Sequence, residues 1–229
     1  MIKSISISSV ILSLFLLSTN ASATVIYTQD FDPLLTTEES GSDFGANRQI
    51  ANKFSLLGTA TQSINTISWL GAYNPSVISP GADDFTLRIF ADNGSGAPEV
   101  SASVLDINVG NVVNRADTGV DFSPFNIDLY SYQASLGTDI TLSSGVDYWL
   151  SIVDDFGTSG SNNWRWAAST LTGSNSIFRQ FDGDNWALPH DNTLQYELSS
   201  VSSVPIPAAL WLMISGLAGL ATFKRKQHA

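Results

Sequence analysis

Between residues 24 and 203, apolar and polar positions alternate with a period of two, which predicts strands rather than helices. Asp84-Phe85-Thr86-Leu87-Arg88-Ile89 alternates strictly, and in residues 146–152 the side chains of Val146, Tyr148, Leu150 and Ile152 fall on one face. Thr193-Leu194-Gln195-Tyr196-Glu197-Leu198-Ser199 repeats the pattern. Further strands are expected at 25–28, 49–57, 64–70, 100–107, 125–130, 163–168 and 177–181, about ten in all. Turn-forming runs separate them: Asn74-Pro75, Ser79-Pro80-Gly81, Asp92-Asn93-Gly94-Ser95-Gly96, Ser143-Ser144-Gly145 and Asp182-Gly183-Asp184-Asn185. No stretch in this region keeps a helical period over three turns, so crossover helices are not expected. The predicted fold is all-β, an antiparallel β-sandwich of jelly-roll type, because each half-polar sheet must bury its apolar face against another.

The two ends break this pattern. Lys3 precedes a mostly apolar run at 5–17, closed by Ala21-Ser22-Ala23. A short apolar run ending in small residues predicts a signal peptide over 1–23, with Ala21 and Ala23 forming the signal peptidase site. The alternative, a membrane span, is too short: thirteen helical residues reach about 20 Å against a hydrocarbon core of about 30 Å. At the other end Val204-Pro205-Ile206-Pro207 leads into the apolar stretch 208–223 and then Lys224-Arg225-Lys226. Pro207 suits a first helical turn and Pro205 blocks backward extension, which predicts a transmembrane helix at about 207–223. The basic triplet stays cytoplasmic by the positive-inside rule, so the preceding domain lies outside. The expected organisation is a signal peptide at 1–23, an ectodomain at 24–198, a polar linker at 199–203 and a tail at 204–229.

That tail, Val204-Pro205-Ile206-Pro207-Ala208-Ala209-Leu210-Trp211-Leu212 followed by Ser215-Gly216-Leu217-Ala218-Gly219-Leu220 and the bases, resembles the VPxPAALWL variant of the PEP-CTERM sorting signal. Such tails occur on exported proteins of Gram-negative bacteria that make extracellular polysaccharide. The resemblance covers about the last 26 residues. It implies recognition and cleavage by an exosortase, a membrane-embedded cysteine protease or transpeptidase, near the proline motif. Ile206 stands where the family has its namesake Glu, which leaves the exosortase subtype open. The alternative is a plain C-terminal membrane anchor. Phe85 to Asp92 with Gly96-Ala97-Pro98, and the later Tyr148 to Ile152, also resemble the sandwich domains found ahead of such tails.

Charge and composition narrow the function. Of 10 Lys and Arg, four (Lys3, Lys224, Arg225 and Lys226) lie in the end segments, so the middle holds six against all 21 acids. Such a surface repels nucleic acid and anionic lipid. With no cysteine, disulfides, thiolate metal sites and cysteine nucleophiles are excluded.

Candidate chemistry is sparse. His190 is the middle's one histidine, and without a Gly-x-Ser-x-Gly elbow it reads as a loop residue rather than a triad member. Acid pairs occur at Asp83-Asp84, Asp154-Asp155 and Asp182-Gly183-Asp184. They suit glycoside hydrolysis only if folding sets two carboxylates about 5 to 10 Å apart. Asp182 and Asp184 also have the oxygen chemistry for a structural calcium, though without EF-hand spacing, and turn formation is the alternative. No other cofactor is expected. Trp164, Trp166 and Trp186, set among Asn, Arg and Asp, suit either a carbohydrate platform or core packing. The expected function is therefore a non-catalytic, exported and exosortase-sorted protein of the outer surface or extracellular matrix. Its partners would be signal peptidase, exosortase, the membrane through the tail helix, and exopolysaccharide. A carbohydrate-binding module is the alternative, and a polysaccharide-cleaving enzyme a third.

Overall fold

The alternating segments form two antiparallel sheets. The structure, a computed structural model, describes residues 23–31, 39–42, 48–73, 83–111, 113–122, 127–155, 164–187 and 189–201. In chain order the strands are β1 (Ala23–Gln29), β2 (Glu39–Gly41), β3 (Gln49–Ser55), β4 (Thr61–Tyr73), β5 (Phe85–Ala91), β6 (Leu105–Gly110), β7 (Asn114–Phe122), β8 (Ile127–Ser143), β9 (Asp147–Asp154), β10 (Trp164–Arg179), β11 (Pro189–Leu194) and β12 (Tyr196–Val201). Most of the signal-peptide segment, the tail 204–229 with its expected helix, and the turns at Asn74-Pro75 and Ser79-Pro80-Gly81 lie outside the described residues. Among the described residues there is no helix, and so none long and apolar enough to cross a membrane.

In the first sheet β4 is central. It pairs with β8 along one side, which in turn pairs with β7. Along its other side it meets β12 at 66–69 and the start of β10 at 71–73. The outer positions are taken by β1 beside β12 and β2 beside β10. The second sheet runs β6-β5-β9-β3-β10-β11. Strand β10 therefore starts in the first sheet and ends in the second. The strands expected at 163–168 and 177–181 are its two ends, joined through a polar middle that hid their continuity.

Inward residues of both sheets merge into one core, consistent with a β-sandwich. Leu87, Ile89, Leu150 and Ile152 of the second sheet share a buried cluster with Ile67, Trp69, Tyr132 and Trp166 of the first. The parity of β4 changes at a bulge, so Ile64 and Ile67, three apart, both point inward. Opposite it β8 carries a larger irregularity, Ile140 pairing with Ile64 but Ser135 with Thr66. Gly137 sits there at φ +72°, and the Asp139 carboxylate accepts from Ser63 Oγ at 2.9 Å and Asn65 Nδ2 at 3.0 Å, which fixes the protrusion.

Some expectations require correction. The strand expected at 100–107 begins only at Leu105, because the chain from Asp92 to Val104 loops over the second sheet, tied by Asn93 N to Ala97 O at 2.8 Å and Glu99 N to Ala91 O at 2.9 Å. The expected linker at 199–203 overlaps β12, where Ser199 is buried and pairs with Thr66 and Val25. A strand paired on both sides is held by its main-chain ladder whatever its side chains, so polar composition misplaced this boundary. His190 lies in β11 opposite Ser176 rather than in a loop. The folded unit spans Ala23–Val201, and its first and last residues pair with each other.

Candidate functional site

Pairing of β5 with β9 sets Phe85 opposite Asp154 and so brings two of the three acid pairs, 70 residues apart in sequence, to one corner of the sandwich. Alternation then splits them between two faces. Asp83 and Asp154, both buried, meet on the inner side, where the Tyr73 hydroxyl lies 2.5 Å from Asp83 Oδ1 and 3.3 Å from Asp154 Oδ2. Burial, then the neighbouring Tyr132 and Asp154, push the Tyr73 pKa far above its ordinary value, so it keeps its proton and donates. Arg115 Nη1 reaches Asp83 Oδ1 at 2.9 Å, and the Asp84 amide donates to Asp154 Oδ1 at 3.3 Å. These carboxylates are held by a hydroxyl, a guanidinium and a backbone N–H.

Asp84 and Asp155 face the other side. Asn108 Nδ2 donates to Asp84 Oδ1 at 3.0 Å and approaches Thr86 Oγ1 at 3.3 Å, while the Thr86 hydroxyl donates to Asp155 Oδ2. Desolvation raises the Asp155 pKa to about 6, outweighing the Thr86 hydrogen bond and the attraction of Arg88. An acid whose folded pKa lies above its unfolded value binds more protons in the native state. Its contribution therefore weakens the fold as pH rises from about 4 to about 6. Because the side chain is partly exposed, screening reduces the effect to about 1 kcal/mol. Asp155→Asn is expected to melt with the wild type near pH 4 and above it at pH 7. Equal melting at both values would contradict the assignment.

The third acid pair is built differently. Asp182 Oδ1 pairs with Arg179 Nη2, and its Oδ2 lies 3.3 Å from Arg88 Nη2. Asp184 Oδ2 accepts from the Phe181 amide at 3.1 Å, and the Asp184 amide donates back to Phe181 O at 3.2 Å. A cation at Asp182 would have to displace two guanidinium groups, and among the described residues no cluster of three or more His, Asp or Glu is placed to hold a metal. Asp184 is bonded within the turn, and Asp182 is engaged in ion pairs with Arg179 and Arg88.

Arg179 is the residue that sequence reasoning passed over. Only 1% exposed, it donates to Gln49 Oε1 at 2.8 Å and to Val100 O at 2.6 Å, with Asp184 O at 3.4 Å. Its guanidinium carbon lies 4.5 Å from the Trp186 ring centre and 5.4 Å from that of Phe90. Burial pulls its pKa below the ordinary arginine value, against the attraction of Asp182. The signal available in sequence was an Arg closing a strand just before a Gly-Asp turn.

The three tryptophans part company. Trp164 and Trp166 have no exposed surface and pack in the core, so neither offers a face to a sugar ring. Trp186 is half-buried, stacked on Arg179, edge-on to Phe90, and its Nε1 donates to Glu99 O at 2.9 Å. Elsewhere, a groove of about 510 Å³ opens between β6 and the β8 protrusion, lined by Ile107, Asn108, Asn114, Ser135 and Leu136 among others, with no charged side chain. No protein-family model matches the chain, and no curated protein matches it.

Proposed function

We propose that this chain is an exported protein of the bacterial cell envelope or extracellular matrix, sorted by an exosortase and associated with exopolysaccharide, in which the sandwich binds rather than catalyses. The observation that carries this is the tail motif Val204-Pro205-Ile206-Pro207 with its apolar stretch and Lys224-Arg225-Lys226, coupled to an N-terminal Ala21-Ser22-Ala23. The limits of the folded unit, Ala23 and Val201, fall beside both expected cleavage points. Removing the two ends would therefore leave the sandwich nearly whole. Ala23 pairs with Val201, so the first and last residues of the unit lie side by side.

Hydrolysis by the inner acid pair is disfavoured, since Asp83 and Asp154 are taken up by Tyr73, Arg115 and a backbone amide. The sandwich is read as a jelly roll because the chain changes sheet repeatedly, from β3 to β4 and from β8 to β9 among others. Replacing both Pro205 and Pro207 by Ala is expected to leave the chain in the membrane fraction with its basic tail uncut. Processing of that variant at the wild-type rate would count against sorting.

A further inference from the structure

The turn from β3 into β4, residues 56–60, and the turn from β8 into β9, residues 144–146, are locked together at one end of the sandwich. Gly145 N donates to Leu56 O at 2.9 Å, Gln62 Nε2 to Leu57 O at 2.7 Å and to Ser144 Oγ at 3.2 Å, and the Ser144 hydroxyl to Ala60 O. Gly58 at φ +111° and Gly145 at φ +74° let both chains reverse this tightly. What the turns present is apolar: Leu57 is 87% exposed and Val146 43% exposed. Neither turn holds a charged residue, although the middle of the chain carries all 21 acids, and Asp147, next along the chain, is paired with Lys53 Nζ at 2.7 Å. An exposed leucine alone would be ordinary, but two uncharged, cross-bonded turns with an apolar side chain on each are not.

Strand β12 advances toward this same end. It runs antiparallel to β4, from Tyr196 opposite Trp69 to Ser199 opposite Thr66, so its last residue, Val201, is carried toward Thr61 and the 56–60 turn. At about 3.3 Å per residue, Val201 stops about 10 Å short of the level of Thr61, while the opposite end of the ladder, where Ala72 pairs with Leu129, lies about 26 Å the other way. From Val201 to Pro207, where the expected tail helix starts, the chain spans at most about 22 Å. Were the opposite end on the lipid, Val201 would stand beyond that reach. We infer that the 56–60 and 144–146 turns, through Leu57 and Val146, rest on the surface of the bilayer that the tail spans. The partner is zwitterionic phospholipid, because the surplus of acids elsewhere on the domain repels anionic headgroups, and aliphatic side chains free of neighbouring charge enter the headgroup boundary. The hydrogen bonds between the turns fix both backbones before contact, so little order is lost on it. This inference rests on the proposed reading of the tail and adds to it which end of the sandwich meets the lipid.

The chain has no cysteine, so Leu57→Cys gives a single site for an environment-sensitive fluorophore, and Asp121→Cys, exposed and paired with Asp128 near the opposite end, gives the control. The full chain with either label is reconstituted into vesicles of phosphatidylcholine and phosphatidylethanolamine that carry a nitroxide quencher at headgroup level. Quenching at position 57 is expected to exceed that at 121 at least threefold. Val146→Asp, which changes an exposed side chain and should leave the melting temperature in place, is expected to halve the quenching at 57. Equal or greater quenching at 121 in a chain that floats with the vesicles, or quenching at 57 unmoved by Val146→Asp, would overturn the inference and leave the reading of the tail intact. A full chain that stays out of the vesicles altogether would overturn the reading of the tail, and this inference with it.

Discussion

Replacing Arg179 by alanine is expected to destabilise the sandwich by about 3 to 5 kcal/mol in urea unfolding, since each acceptor left unsatisfied costs about 1 to 3 kcal/mol and the packing of the buried side chain is lost as well. The loss would strand the Gln49 side-chain oxygen and the Val100 carbonyl, remove one of the two guanidinium partners of Asp182, and leave the Phe90 and Trp186 rings without the cation that both face. Arg179→Lys should recover little. A single ammonium cannot lie flat against an indole while bonding three acceptors in different directions. With domain stabilities of about 5 to 15 kcal/mol, such a change removes a large share of the total. A loss below about 1 kcal/mol would show that the two loops are held by something else.

Trp164→Ala is expected to cost a similar amount, about 3 to 5 kcal/mol, for a different reason. The indole is fully buried against Phe85, with ring centres 5.1 Å apart, and against Tyr132 at 6.3 Å and Trp166 at 6.5 Å. Its six-membered ring lies on Gly71, where an added Cβ would come within 2.6 Å of Trp164 Cζ2. In the wild type, Gly71→Ala should therefore cost about 1 to 3 kcal/mol by overpacking. In the Trp164→Ala background the same methyl group enters the vacated space, so it should cost nothing or stabilise. Simple additivity of the two changes would contradict the packing described.

These two residues mark where the sequence was legible and where it was not. Alternation located β5, β9 and most of β12, because each has one face in the core and neighbours on both sides. It missed β7 entirely. Asn114–Phe122 is a sheet-edge strand whose side chains are mostly exposed, and only its pairing with β8 makes it a strand. It also cut β8 short: Tyr132, Ala134, Leu136 and Leu142 keep the even positions buried, but the exposed Gly137, Thr138 and Asp139 of the protrusion interrupt the run. That Trp164 and Trp166 share a face could be read directly. Whether that face was core or surface depended on a glycine 93 residues earlier, and local pattern carries no such information. The same holds for the acid pairs, whose meeting depends on the β5–β9 register, and for Arg179, whose partners come from β3 and from the loop before β6.

The identity of the ends decides the account of function, and the masses of the natural protein's termini test it most directly. Intact mass spectrometry of the protein from the envelope and from the culture medium is predicted to give a chain beginning at Thr24 and ending near Val204. A chain recovered from inside the cell with residues 1–23 attached, or one displayed outside with Lys226 intact whether or not a processing enzyme is present, would contradict it.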